Sequence, residues 1–167
     1  MSDPLPLARD VVAHFRANLS TVCLSTASAD GLPEASVAAT LLDDNGAFVI
    51  FVSGLAAHTR NLRENPRASV LLAEPESAAT NALARRRLGF SCAAEPVARE
   101  SVAHATLVAA FRAKFGATIA VIAALPDFQF MRLIPLRGRV VIGFGAAFEV
   151  DPLDWAQLTP VGRLPTR

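Results

Sequence analysis

The chain has 167 residues, 16 Lys and Arg against 15 Asp and Glu, and a formal net charge of +1, a length that fits one domain of ordinary size. With 52% apolar and 19% charged residues it can bury a sizeable core, which excludes disordered and fibrous classes. The near-zero charge supplies neither a basic field for nucleic acid nor a polybasic tail for a membrane surface, and the apolar excess points instead to buried contacts between subunits.

Asp3-Pro4 sets a capping carboxylate before a proline suited to the first helical position, and Leu7, Val11 and Phe15 recur every four residues, predicting an amphipathic helix to about Asn18. From Leu19 the period becomes two, with Ser20, Val22 and Leu24 on one side and Thr21, Cys23 and Ser25 on the other, up to the turn at Asp30-Gly31-Leu32-Pro33. A second strand over residues 34–42, the tight turn Asp43-Asp44-Asn45-Gly46 and a third strand over residues 47–53 complete an antiparallel meander. A short helix over 57–64 is stopped by Asn65-Pro66, and a buried strand follows over 68–73. Residues 74–84 have no period and read as a connection. A long strand over 86–97, a main helix over 100–115 ended by Gly116, and two last strands over 128–134 and 139–144 joined by Pro135-Leu136-Arg137-Gly138 complete the series. Residues 1–150 form the expected domain and 151–167 a C-terminal extension. Three prolines from residue 152 onward mark it as poorly ordered or packed on a partner.

Strands joined by hairpins exclude a doubly wound parallel sheet, so the expected fold is mainly β within the α+β class: a six- to seven-stranded antiparallel barrel with flanking helices. The longest stretch free of charge, residues 45–59, contains Gly46, Ser53, Gly54 and His58, so no membrane-spanning helix is expected. The opening residues lack a cationic segment followed by an apolar block, making a cytoplasmic location the expectation. Cys23 and Cys92 read as small buried hydrophobes. His14, His58 and His104 have no ligand partners at metal-site spacing, so no protein-built metal site is expected. Neither a Gly-x-Ser-x-Gly elbow nor a complete dinucleotide fingerprint occurs.

The informative stretch runs from Phe51 to Pro66. A strand ending in Ser53 turns through Gly54 into a helix with His58, Thr59, Arg60 and Asn61 near its start, an arrangement that suits an anion or, equally, a polar helix cap. Arg85-Arg86-Arg87 is a second cationic cluster, at a strand start.

Together, Asp30-Gly31-Leu32-Pro33 with Ser36, the Ser53 to Pro66 stretch with His58-Thr59-Arg60-Asn61-Leu62, and Arg132-Leu133-x-Pro135 through Gly138-Arg139 to Gly143-Phe144-Gly145 resemble the pyridoxamine-phosphate-oxidase-like, FMN-binding split barrels over about residues 5–150. The similarity is greatest to their haem-utilisation branch. It implies a split-barrel homodimer with FMN in the groove between subunits, and carries over Ser36, Ser53, His58, Thr59 and Asn61 as phosphate-side residues, with Arg87 from the long strand. The sequence departs from the oxidase proper. Ser36 and Leu41 stand where that enzyme has arginine and lysine, Ala57-His58 stands at its Arg-Lys pair, and its C-terminal Arg-x-His is absent. The leading expectation is therefore an FMN-binding oxidoreductase acting on a small conjugated substrate, with no catalytic residue singled out. The alternatives are a haem-binding, haem-utilisation protein with Arg132 or Arg87 as charge partner, and a non-enzymatic dimeric binding or sensing module. Haem-degrading relatives use a histidine near the C-terminus as iron ligand, but no histidine follows His104, which leaves His14, His58, His104 or a group outside this chain.

Overall fold

The period-of-two segments pair edge to edge in the computed structural model, which describes residues 3–162. In chain order the strands are β1 (Thr21–Ala27), β2 (Pro33–Leu42), β3 (Phe48–Ser53), β4 (Arg67–Ala73), β5 (Arg87–Pro96), β6 (Phe128–Gly143), β7 (Ala146–Val150) and β8 (Leu158–Pro160). They line up as β3-β2-β1-β4-β5-β6-β7-β8, all neighbours antiparallel, and β3 also pairs with β6. That last ladder closes six strands into a barrel and leaves β7 and β8 as an extension. Closure removes the free edges that so apolar a sheet would otherwise present.

Alternation sets the inside and the outside. In β1, Val22, Leu24 and Thr26 point into the barrel while Thr21, Cys23 and Ser25 point out. The hairpin turns place Gly31 and Gly46 at φ +87° and +80°, a region that suits glycine. The helices are α1 (Leu5–Ala17), α2 (Ala57–Glu64), α3 (Val102–Phe115) and α4 (Thr118–Ala123). Asp3 Oδ1 accepts from Leu5 N at 3.0 Å, but the helix begins one residue later than expected, at Leu5, with Pro4 in the capping position instead of the first helical one. Ser101 Oγ accepts from His104 N at 3.1 Å to start α3. One apolar cluster fills the barrel, and a second, with Val49, Leu107, Phe111, Ile119 and Phe130, lies between its wall and the pair α3–α4. Lys114, the single lysine of the chain, reaches from α3 to donate to the carbonyls of Leu19 and Thr40.

Several expectations are corrected. The two last strands are one 16-residue strand, β6. Its ladder to β5 runs Ser91↔Arg137 and then Cys92↔Pro135, so Leu136 bulges out, and the bulge accommodates the proline's missing N–H without ending the strand. Helix α4 and strand β7 were not anticipated. Residues 152–162 are not a loose tail, because β8 pairs with β7 and Trp155 is 3% exposed, stacked on Phe90 at 4.6 Å. Residues 163–167 of that extension lie outside the described residues. Cys23 is exposed on the barrel's outer face, whereas Cys92 is buried and its thiol is pushed up to about 12 by desolvation. Among the described residues, no helix is long and apolar enough to cross a membrane.

Candidate functional site

The turn from β3 into α2 brings together five of the six sequence-derived site residues. Gly54 N donates to Asp127 O at 2.6 Å and Ser53 Oγ donates to Asp127 Oδ2 at 2.7 Å, fixing the end of β3 against the start of β6. Thr59, fully buried, donates from Oγ1 to Ser53 O at 2.6 Å, which ties the first turn of α2 to the same point. Asn61, also buried, donates from Nδ2 to Thr26 Oγ1 at 3.1 Å and to Glu34 Oε2 at 3.3 Å. Ser36 Oγ and His58 Nδ1 are 3.1 Å apart. The helix therefore closes one end of the barrel through side chains of β1 and β2 and a backbone carbonyl of β3.

The electrostatics of this corner follow from burial. Desolvation pushes the half-buried His58 below its ordinary value of 6.5, against a smaller upward pull from the Glu34 carboxylate. The ring is thus favoured as neutral imidazole. The donors of Ser53, Thr59 and Asn61 are all engaged within the chain, two of them by carboxylates. A phosphate here would have to displace those contacts and approach Glu34.

Arg87 does not join this corner. Ladder pairs place Thr26 level with Ala68 and Cys92, and Ser36 level with Leu24, Val70 and Phe90, so Arg87 lies five and three residues further along β5, roughly 16 and 10 Å at the usual strand rise, and three strands across from Ser36. The triple-arginine run disperses: Arg85 donates twice to Glu74 O, Arg86 borders a cavity beside α1, and Arg87 faces a groove on the other side. That groove has a volume of about 610 Å³ and is lined by Arg87 and Arg139, the exposed Leu83 and Phe144, and the backbone of Gly143 and Gly145. Among the described residues no carboxylate lines it, and neither Arg87 nor Arg139 has an ion-pair partner. Arg132 is different, since its Nε sits 2.8 Å from the largely buried Asp43 Oδ2. Its charge is already matched.

Sequence reasoning missed four residues here. Glu34 shares the inward face of β2 with Ser36, a period-of-two signal that was available. Arg139 and Phe144 stood inside a quoted motif without a role. Asp127 precedes β6 and carries no periodic mark; only the closed fold shows it meeting Ser53.

Residues 8–142 match the family described as Pyridoxamine 5'-phosphate oxidase. The chain belongs to this oxidase family. Within it, the chain is 36% identical over 150 residues to the protein named heme oxygenase HutZ of Vibrio cholerae, covering 88% of this chain and 85% of that one. A crystal structure described as HutZ, the heme storage protein from Vibrio cholerae, superimposes with a TM-score of 0.75 at 32% identity, over 81% of this chain and 94% of that one. A structure described as a heme binding protein from Mycobacterium smegmatis gives 0.74 at 29% identity, over 89% of this chain and 60% of that one. These solved relatives share the split barrel of the oxidase family. They place the chain beside members named for haem.

Proposed function

We propose that this member of the oxidase family is a haem-binding protein of the haem-utilisation branch, working as a homodimer. Haem is a flat apolar disc with two carboxylates and an iron that takes axial ligands. The groove beside β5 and β6 suits the disc and the carboxylates: it holds an exposed aromatic ring and two guanidiniums that have no acidic partner, and no carboxylate lines it, among the described residues. That groove is the observation that carries the reading, and the relatives named for haem supply the ligand class. FMN, the leading expectation from sequence, is less favoured because the donors expected to take its phosphate already bond to Ser53 O, Asp127, Thr26 and Glu34.

The outer face of the barrel supports the second copy. Val37, Cys23, Leu71 and Gly89 lie side by side across β2, β1, β4 and β5, and Val37 is 67% exposed. No helix of the described chain covers this row, and a symmetric contact would bury it.

Titration of the purified protein with haemin, followed by the Soret band, tests the reading. A saturable band at equimolar haem is expected. Replacing Arg87 and Arg139 together by alanine should weaken binding by roughly tenfold or more for each lost charge-assisted bond, at ~1.5–3 kcal/mol apiece. Saturable FMN binding without haem binding would overturn the assignment.

A further inference from the structure

We propose that the cavity between α1 and the end of β4 binds a small zwitterion, an α-amino acid with an apolar side chain. It is separate from the Arg87–Arg139 groove and stands or falls independently of haem.

The cavity has a volume of about 470 Å³, within the ~300–1,000 Å³ usual for small-molecule sites. On one side α1 borders it with Leu7, Val11 and Phe15, four residues apart, which make an apolar floor, and with Asp10 and His14, also four apart, beside that stripe. The other wall is set by backbone. Past the last β4–β5 pair, Ala73 with Arg87, Glu74 N donates to Arg86 O at 2.9 Å and Arg86 N donates to Glu74 Oε2 at 3.2 Å. Pro75 then turns the chain into the short helical turn Glu76–Ala78. Glu74 and Arg86 thus border the cavity as one fixed pair.

The charges here lack partners of their own. Among the described residues, none of Asp10, Glu74 and Arg86 takes part in an ion pair, and Glu74 has one oxygen engaged, by the Arg86 N–H. His14 Nδ1 lies 3.3 Å from Asn18 Nδ2, whose amide also donates to His14 O at 2.9 Å. Nδ1 therefore accepts, and Nε2 carries a proton whether the ring is neutral or charged.

This set of groups selects its ligand by charge. Two carboxylates repel dianions, the two propionates of haem included, while a simple cation would leave Arg86 unmatched. Nor do the acids and His14 form a metal centre, because among the described residues no three His, Cys, Asp or Glu side chains stand close enough to hold an ion. A molecule with both charges satisfies the cleft. Its ammonium is taken by Asp10 and Glu74, its carboxylate by Arg86 and the Nε2–H of His14, and its apolar side chain by Leu7, Val11 and Phe15.

Isothermal titration of the full chain with L-leucine tests this, beside isoamylamine, which lacks the carboxylate, and isocaproate, which lacks the ammonium. Leucine should bind saturably, and each analogue about tenfold or more weakly, the effect of losing a charge-assisted bond. In R86A leucine should fall to the affinity of isoamylamine, and in the D10N/E74Q double variant to that of isocaproate, with thermal midpoints confirming that both variants fold. The unaltered protein supplies a second measurement. In its amide NMR spectrum leucine should move resonances of α1 and residues 74–78 and leave those of residues 143–145 in place. No saturable leucine binding at millimolar concentration, either analogue binding as tightly as leucine, or shifts confined to residues 143–145 overturns the inference. Each of these results leaves the haem reading untouched, and failure of haem uptake leaves this one untouched.

Discussion

Gly138 lies against the ring of Phe90 with no room for a side chain: a Cβ there would stand 2.4 Å from Phe90 Cε1 and 2.8 Å from Val150 O. The ring cannot retreat easily, because its other neighbours are Trp155 at 4.6 Å and Phe48 at 5.6 Å. Gly138→Ala should therefore destabilise the fold by about 3 kcal/mol, the upper part of the usual range for overpacking, since one of the opposing atoms is backbone. The urea midpoint of the variant checks this, and a change below about 1 kcal/mol would show that β6 shifts freely.

The neutral preference of His58 gives stability a definite pH dependence. The folded ring titrates below 6.5 and the unfolded one near it, so the unfolded chain binds more protons in that window. The contribution is fully present above about pH 7 and is lost as pH falls through the folded value. Thermal midpoints should thus drop between about pH 7.5 and 5.5, and the drop should shrink in His58→Gln. Parallel curves for the two proteins would remove His58 from the account.

Ser53 and Asp127 act as a latch between the end of β3 and the start of β6. Asp127→Ala should cost about 1–2 kcal/mol, the range for a hydrogen bond to a charged group at a partly exposed site. Ser53→Ala in the same background should add little, because the two side chains share one bond. A double-mutant cycle by chemical denaturation measures the coupling.

The proposed dimer face is open to thiol chemistry. Val37→Glu with Leu71→Glu should yield monomers by sedimentation equilibrium, since two like charges per copy would meet across the axis. Cys23, between them on the same face, should then react faster with a thiol reagent, while buried Cys92 stays inert until unfolding. Monomers of the unaltered protein at micromolar concentration would count against the dimer.

Where spacing alone sets structure, the sequence was a good guide. The period-of-two segments from Val22 to Ser53 and the stop at Asn65-Pro66 all correspond to observed elements, because side-chain alternation and turn chemistry are local properties. Misreadings came where distant parts meet. Pro135 and Gly138 look like a turn until β5 shows them to be a bulge and a seat for Phe90. Trp155 looks like part of a loose tail until the stacked ring of Phe90 and the tilted ring of Phe48 are seen to hold it. At the site, the cluster around His58 was legible because its members lie on adjacent strands and one helix. The engagement of its donors by Asp127 and Glu34 was not, since neither carboxylate announces its direction in one dimension.

Closure of the barrel by β3 and β6 has a consequence for the chain before it is finished. The segment Phe48-Val49-Ile50-Phe51-Val52 is uncharged, strongly β-forming and free of proline, and the partner that covers its open edge comes only after two more strands and three helices. Until then it has the composition of a cross-β nucleus. A stalled or truncated chain ending before Phe128 would expose that edge, so slow synthesis at low temperature, or a chaperone that shields it, should decide how much of the protein is recovered from cells rather than lost to inclusion bodies.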